Sequence, residues 1–248
     1  MAIFITGDTH GDFTRFKKTI FHEQTTMTKN DYVIVCGDFG IWDNSPNERH
    51  WLDWLDAKPF TTLFVTGNHS NYELLETYSV SEWHGGQVQR IRPSILHLMR
   101  GQIYEIQGKR FFAMGGASSH DIKDGILEPD DPGFKQNYRR LKARNAEFRI
   151  NHRSWWKEEL PNETEYAIAL DNLEQAGWSV DYIISHCCPS SIVKILGNGS
   201  YQTDPLTDFF EEIRRRCQFQ FWCFGHYHDN KIVEDRFVLL YEQIVRLV

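Results

Sequence analysis

DYVIVCGDFG, residues 31–40, is an apolar run that ends abruptly at Gly37 and Asp38. Such a run is typical of a strand buried inside a sheet, and the polar residues directly after it would lie at one edge of that sheet. Four further apolar runs end in the same way: AIFIT (2–6), TTLFVT (61–66), VDYII (180–184) and FQFWCF (219–224). The sequence therefore predicts five buried strands whose polar ends converge.

The residues after these runs carry the carboxylate, imidazole and amide groups that bind metal ions. They are Asp8, His10, Asp38, Asn68, His69, His186, His226 and His228. These donors suit Mn²⁺, Fe or Zn²⁺ better than Ca²⁺. A glycine comes before the polar residues at positions 7, 37, 67 and 225, where a side chain would crowd a sharp turn or the ions. Asp8 and His10 are two residues apart, so an extended backbone would point both side chains the same way. The same holds for His226 and His228.

Length, charge and cysteine content limit the class of protein. A chain of 248 residues suits a single α/β domain, 1–248, with insertions near 80–100 and 118–160. The net charge of −7 disfavours a protein that binds nucleic acid through bulk electrostatics. No apolar run approaches the ~20 residues of a membrane span, so we expect no membrane partner. An odd number of cysteines and a start without signal-peptide features predict reduced thiols in a cytoplasmic protein.

Strand-like and helix-like segments alternate along the first third of the chain, which favours right-handed crossovers and a largely parallel sheet. Residues 80–100 have no regular pattern, whereas QIYEIQGKRFFAMGG (102–116) alternates around Gln107-Gly108 and predicts a hairpin. Asn162 and Glu165 form a capping-box pattern, and Asp204-Pro205 is a typical helix start. The predicted helices are 13–22, 48–56, 72–77, 163–176 and 205–216.

Residues 118–156 are the least regular part of the chain, with an acidic first half and a basic second half. Two interpretations stay open. The segment is either a cap that meets an anionic substrate over the active site, or a surface insertion whose halves neutralise each other. In the first case, His120, Arg139 and Arg140 would contact the substrate. Trp155 and Trp156 are expected to be exposed and could mark an interface, although the sequence leaves the oligomeric state open.

Five motifs in a fixed order, each after a predicted strand, resemble those of the calcineurin-like metallophosphoesterases. They are Asp8-Thr9-His10, Gly37-Asp38, Gly67-Asn68-His69, Ser185-His186 and Gly225-His226-Tyr227-His228. The resemblance implies an α/β fold, a double β-sandwich of mixed sheets flanked by α-helices, with a dinuclear site at the strand ends. The ligand set it implies is Asp8, His10 and His228 for the first ion, Asn68, His186 and His226 for the second, and Asp38 as the bridge.

The resemblance also implies the chemistry. Two divalent metal ions, Mn²⁺ in preference to Fe or Zn²⁺, would hold a bridging hydroxide that attacks a phosphate mono- or diester in line. Asn68 would contact the substrate as well as an ion. His69 would stand near the leaving-group oxygen, where an imidazolium could stabilise or protonate it.

Two departures from the family pattern narrow the prediction. Ser70 stands where the family usually has an acidic residue after Gly-Asn-His, and its hydroxyl is expected to cap the following helix. Protein serine/threonine phosphatases of the superfamily carry Asp-Arg-Gly after the Gly-Asp motif and an arginine before Gly-Asn-His. In this chain Phe39-Gly40 follows Asp38 and Thr66 precedes Gly67, so protein phosphatase activity is disfavoured.

Three functions are compatible with the sequence. The first is hydrolysis of a small phosphoester or nucleotide. The second is a nuclease acting on DNA or RNA, because repair nucleases share the motif order. The net charge opposes a nuclease, while the arginines and aromatic residues of 139–153 favour one. The third is a non-catalytic binding module, which the complete ligand set disfavours.

Overall fold

Two β-sheets pack face to face in the structure, a computed structural model that describes residues 1–248. The strands are β1 (Ile3–Thr6), β2 (Tyr32–Val35), β3 (Thr61–Phe64), β4 (Val80–Trp83), β5 (Gly86–Arg92), β6 (Ile95–Leu98), β7 (Gln102–Ile106), β8 (Lys109–Met114), β9 (Ile126–Leu127), β10 (Arg149–Ile150), β11 (Tyr182–Ser185), β12 (Phe221–Phe224), β13 (Lys231–Val233), β14 (Phe237–Leu239) and β15 (Val245–Arg246). The first sheet has the order β15-β1-β2-β3-β6-β5-β4 and the second β13-β14-β12-β11-β8-β7. Strands β9 and β10 form a separate pair.

Helices cover the outer faces of both sheets. They are α1 (Pro46–Asp56), α2 (Tyr72–Glu76), α3 (Phe134–Ala143), α4 (Glu163–Gln175), α5 (Ser190–Leu196) and α6 (Pro205–Arg216), with 3₁₀ turns at Thr14–Phe16, His22–Thr26 and Lys157–Glu159. Helices α1 and α2 pack on the first sheet, and α4, α5 and α6 on the second. The predicted double sandwich of mixed sheets flanked by helices is confirmed. No helix is both long and apolar enough to cross a membrane.

The central strands are apolar on both faces because both faces are covered. Ile34 of β2 packs in the core between the sheets, whereas its neighbours Val33 and Val35 pack against the outer helices. This alternation follows from the two-residue period of a strand, and it explains why these runs are continuously apolar. All five cysteines are buried and unpaired.

Parallel pairing brings the carboxyl ends of the central strands to common edges. Strands β1, β2 and β3 are mutually parallel in the first sheet, and β11 and β12 are parallel in the second. These are the five strands that the apolar runs predict, and each is followed by one of the five motifs. The predicted hairpin at 102–116 is also present, as β7 and β8.

The predicted helix starts are confirmed by their capping contacts. Asn162 and Glu165 form a complete capping box at the start of α4, and Asp204 caps α6 with Pro205 in the first turn. Helices α1 and α2 also lie where the sequence predicts them. Local side-chain chemistry therefore sets these boundaries.

The helix predicted for residues 13–22 is wrong. The segment contains a 3₁₀ turn at Thr14–Phe16 and then irregular backbone before the next 3₁₀ turn at His22–Thr26. Phe16 is fully buried, whereas Ile20 is 59% exposed. Phe16 and Ile20 have the i, i+4 spacing of one helix face, but they do not share one environment.

Residues 80–100 are regular, contrary to the sequence interpretation. They form the antiparallel strands β4, β5 and β6, which extend the first sheet. His84 and Gly85 both have positive φ and join β4 to β5 as a two-residue turn. Such a turn suits the twist of a hairpin, so these two residues form the connection of a β-hairpin.

The segment 118–156 forms a small substructure from β9, α3 and β10. Trp156 is only 3% exposed and packs in the core on the outer face of the first sheet, so the expectation of an exposed Trp156 is wrong. The last part of the segment is therefore anchored in the fold through an aromatic side chain.

Candidate metal centre

Two buried carboxylates stand at the centre of the converging loops. Asp8 follows β1 and Asp38 follows β2, and each is almost fully buried. Asp8 Oδ2 lies 3.2 Å from His228 Nε2 and 3.7 Å from His10 Nε2, and these two nitrogens are 3.1 Å apart. Asp8, His10 and His228 thus form one cluster whose ligand atoms could surround an ion.

A second cluster joins Asp8, Asp38 and His186, and it brings the two sheets together. His186 Nε2 lies 3.4 Å from Asp38 Oδ2, and His186 Nδ1 donates a hydrogen bond of 2.7 Å to the Cys36 carbonyl oxygen. That hydrogen bond fixes the ring and directs Nε2 at Asp38. Asn68 and His226 line a cavity of about 170 Å³ beside this cluster, together with Asp38, His69, His120, Asp121 and His228.

Three buried polar atoms in and beside these clusters have no hydrogen-bond partner: Asp8 Oδ2, Asn68 Oδ1 and His186 Nε2. Buried polar atoms are nearly always paired, because leaving one unpaired costs about 1–3 kcal/mol. The three atoms come from β1, β3 and β11, and all can act as ligands of a divalent ion. This donor set fits such ions well.

The electrostatics of the centre favour positive charge. Burial disfavours a charge on His186, but the carboxylates of Asp38 and Asp8 outweigh it and raise the pKa of His186 to about 9. Burial alone would raise the pKa of Asp38, but the charge of the nearby His186 imidazole lowers it below its usual range. A cation bound between these groups would take the place of that proton.

The proposed ligands His10, His226 and His228 have left-handed backbone conformations. The expectation of an extended backbone from Asp8 to His10 and from His226 to His228 is therefore wrong. The φ angles of His10, His226 and His228 are +47°, +72° and +49°. Such angles are costly outside glycine and are often found at functional sites. Glycine is required beside them: a Cβ on Gly37 would lie 2.1 Å from His186 Nδ1, and one on Gly225 2.1 Å from Asp8 Oδ1.

His69 lies at the rim of the centre rather than inside either cluster. Its backbone N–H donates to Asp38 Oδ1 at 2.8 Å, and its Nε2 is 3.3 Å from a terminal nitrogen of Arg149. Burial lowers the pKa of His69, and the positive charge of Arg149 acts in the same direction, against the effect of Asp38.

Arg149 is the site residue that sequence reasoning missed. It lies on β10, and a two-pronged contact to the carboxylate of Asp121 holds its guanidinium in place. Arg139 and Arg140, which were expected to contact substrate, lie exposed on α3 and do not line the cavity. The sequence showed a basic run but could not show which arginine faces inward, because β10 makes only a two-residue strand.

His120 lies at the centre as the sequence suggested. Its Nε2 is 2.6 Å from His226 Nε2, and its ring stacks on Tyr201. The preceding residue, Ser119, is held by Glu159, whose carboxylate accepts from the Ser119 backbone N–H at 2.9 Å and from its hydroxyl at 2.7 Å. The buried carboxylate therefore fixes the loop that carries His120.

Glu159 makes the stability of the protein depend on pH. Burial raises the pKa of Glu159 from 4.5 to about 6, against the effect of the Ser119 hydrogen bonds. The folded state thus holds this proton more tightly than the unfolded state, so the free energy of unfolding falls as pH rises through about 4.5 to 6.

We expect Glu159→Gln to remove this loss of stability. Urea unfolding of metal-free protein should show the variant gaining about 2 kcal/mol over wild type between about pH 4 and about pH 7. A difference that stays constant over this range would contradict the assignment.

Ser70 does not cap the helix that follows it, which corrects the sequence interpretation. Asn71 is the N-cap of α2, and its side chain accepts from the backbone N–H of Leu74 at 2.9 Å. The Ser70 hydroxyl instead accepts from the backbone N–H of Gly67 at 3.3 Å. Ser70 thus closes the loop that carries Asn68 and His69.

Two carboxylates, clustered imidazoles and an amide lie together at the ends of parallel strands, an arrangement typical of metal-dependent hydrolases. The chain belongs to the calcineurin-like phosphoesterase family, which it matches over residues 1–230. It is also 35% identical over 96 residues to a lariat debranching enzyme of Arabidopsis thaliana, a match that covers 32% of this chain and 23% of that enzyme. The family is one of metal-dependent phosphoesterases, and the two Asp/His clusters of this chain suggest a dinuclear metal site.

Proposed function

We propose that the protein hydrolyses a phosphate mono- or diester of a small molecule or nucleotide with two divalent ions, Mn²⁺ in preference to Fe or Zn²⁺. The observation that carries the proposal is the set of three buried ligand atoms without partners, on Asp8, Asn68 and His186. The three residues follow different strands, β1, β3 and β11, and Asp8 and His186 belong to the same Asp/His cluster. A fold without a cation here would leave them unpaired at considerable cost.

The proposed ligands divide into two sets around Asp38. Its Oδ2 lies 3.9 Å from His10 Nε2 and 3.4 Å from His186 Nε2, so it contacts one member of each set. This position supports a bridging role. The first set is Asp8, His10 and His228, and the second is Asn68, His186 and His226. When bound, the two ions would lower the pKa of a water molecule and neutralise phosphoryl oxygens.

The side chains beside the ligands would position the phosphoryl group. Arg149 presents N–H groups next to His69, in a geometry that suits a phosphoryl oxygen. Asp121 keeps the guanidinium oriented before substrate arrives. Asn68 would contact the substrate as well as an ion, and His120 would support His226. Because His120, Asp121 and Arg149 all come from 118–156, we propose that this segment is a cap over one side of the site.

Metal removal tests the function directly. We expect purified protein to contain close to two metal equivalents, to lose phosphoesterase activity after dialysis against EDTA, and to regain it with Mn²⁺. Metal analysis should be joined to a panel of mono- and diesters, including p-nitrophenyl phosphate and bis(p-nitrophenyl) phosphate. Binding of two ions without turnover of any ester would overturn the proposal and favour a binding module.

The nuclease alternative has one comparison in its favour, the partial similarity to a lariat debranching enzyme. The net charge of −7 opposes it. Cleavage of single-stranded DNA or RNA that weakens steeply with salt would favour the nuclease. Hydrolysis of small esters unaffected by added DNA would favour the first function.

A further inference from the structure

A larger cavity adjoins the metal centre on the side of His10. It has a volume of about 400 Å³ and is lined by the loops after β1 and β2 and by the first turns of α1, with Phe13, Trp42 and Trp51 as its large apolar side chains. Its volume lies within the range of about 300–1,000 Å³ that is typical of small-molecule sites. Since His10 belongs both to the first Asp/His cluster and to the cavity wall, the two spaces share a boundary.

Trp42 lies beside His10 at this boundary. Its ring is nearly parallel to the ring of His10, with centroids 6.5 Å apart and an interplanar angle of 6°. It also meets the ring of His69 edge-on at 5.9 Å. A substituent that extends from a phosphoryl group at the metal centre toward the cavity would therefore pass along the indole of Trp42.

The loop that carries Trp42 is held rigidly by Glu48. The buried carboxylate of Glu48 accepts from the backbone N–H groups of Trp42, Asp43 and Asn44, at 2.7, 3.0 and 3.2 Å. Asn71 donates to the Trp42 carbonyl oxygen at 2.5 Å. A wall fixed before binding loses little conformational freedom when a ligand arrives, which favours affinity.

The chemistry of the cavity selects against further phosphate and for an uncharged ring. No lysine or arginine lines it, and the carboxylate of Glu48 is occupied by backbone N–H groups. The other polar side chains are Asp43, Ser45 and Asn47, which offer hydrogen-bond acceptors and an amide. Two tryptophans with a few hydrogen-bonding groups suit a planar heteroaromatic ring that carries N–H donors.

We propose that this cavity binds the nucleobase of a nucleoside phosphate whose phosphoryl group lies at the metal centre. The inference rests on the proposed phosphoesterase function and specifies its substrate class. Trp51 would stack on the base, Trp42 would guide the sugar past His10, and Asn47 would hydrogen-bond the edge of the ring.

Trp51→Ala tests the base-binding role, with Trp178→Ala as the matched control. Both tryptophans are partly buried. The ring of Trp178 is covered by the guanidinium of Arg216, and Trp178 does not line the cavity. Ribose 5-phosphate has the sugar and phosphate of adenosine 5′-monophosphate, with a hydroxyl in place of the base. We expect Trp51→Ala to lower kcat/KM for the nucleotide about tenfold or more, through KM, and to leave ribose 5-phosphate unchanged. Trp178→Ala should change neither.

Binding of nucleosides separates failure of this inference from failure of the proposed function. Adenosine, guanosine, cytidine and uridine lack phosphate, so their binding to metal-free protein, followed by NMR or calorimetry, does not require turnover. Binding that Trp51→Ala weakens and Trp178→Ala preserves would support the inference even in a protein that hydrolyses no ester. If none of the four binds at millimolar concentration, or if Trp51→Ala slows the nucleotide and ribose 5-phosphate equally, the inference is overturned while the phosphoesterase stands.

Discussion

Asp38→Asn is expected to lower kcat for phosphoester hydrolysis by about a thousandfold or more. Metal ions supply several kcal/mol of charge stabilisation in the transition state, and each 1.36 kcal/mol is a factor of about ten in rate. Asp38 contacts one residue of each proposed ligand set, His10 and His186. A neutral amide of the same size would keep the packing but remove the charge that holds two cations close together.

Metal content and activity should fall together in this variant. Mass spectrometry of metals in protein dialysed against excess Mn²⁺ should show fewer than two bound equivalents, and kcat should be measured with saturating Mn²⁺. Asp53→Asn is the matched control, because Asp53 lies on the exposed side of α1 and pairs with Arg92. An Asp38→Asn protein with two ions and wild-type kcat would show that Asp38 does not bridge the ions.

The sequence could predict the strand ends because their signal is local. An apolar run indicates a buried strand, and the glycine and polar residue after it indicate a sharp turn, as at Val33–Asp38. Both signals lie within about ten residues of each other. Capping contacts are equally local, and Asn162 and Asp204 were read correctly for that reason. The packing of the two sheets against each other was predicted only from the resemblance to the family, because no local sequence pattern indicates it.

Two of the errors concern contacts between distant parts of the chain. Arg149 reaches His69 across eighty residues, through a two-residue strand and the carboxylate of Asp121. Nothing in its own neighbourhood distinguishes it from Arg139 or Arg140. Trp156 was misjudged in the same way, because the surface that buries it is built from the first sheet and its helices. Tertiary packing decides such residues, and local composition does not.

His69→Ala is expected to slow turnover by about 10²–10⁴-fold without emptying the metal centre, as the loss of a general acid would. His69 touches Asp38 only through its backbone N–H, a contact that alanine retains. Its ring contacts Arg149, Trp42 and the ring of His10, but its nitrogens belong to neither Asp/His cluster. The imidazole can therefore be removed while both proposed ligand sets remain.

The contact with Arg149 adds a condition to this role. A guanidinium only donates hydrogen bonds, so Arg149 beside Nε2 holds that nitrogen as an acceptor without a proton. To donate a proton to the leaving group, Nε2 must be protonated, and the guanidinium must turn to another acceptor. A phosphoryl oxygen provides one. When substrate binds, the guanidinium of Arg149 would donate its hydrogen bond to a phosphoryl oxygen instead of to His69. The imidazole of His69 could then take up a proton.

Leaving-group dependence distinguishes acid catalysis from a purely structural role of His69. A poor leaving group needs a proton in the transition state more than p-nitrophenolate does, so His69→Ala should slow phenyl phosphate more than p-nitrophenyl phosphate. His22→Ala, a change at an exposed histidine outside the site, should slow neither. Equal slowing of both esters would assign His69 to positioning, because a distorted site does not sense the basicity of the departing oxygen. Only a group that gives its proton to that oxygen should produce a loss that increases with the pKa of the leaving alcohol.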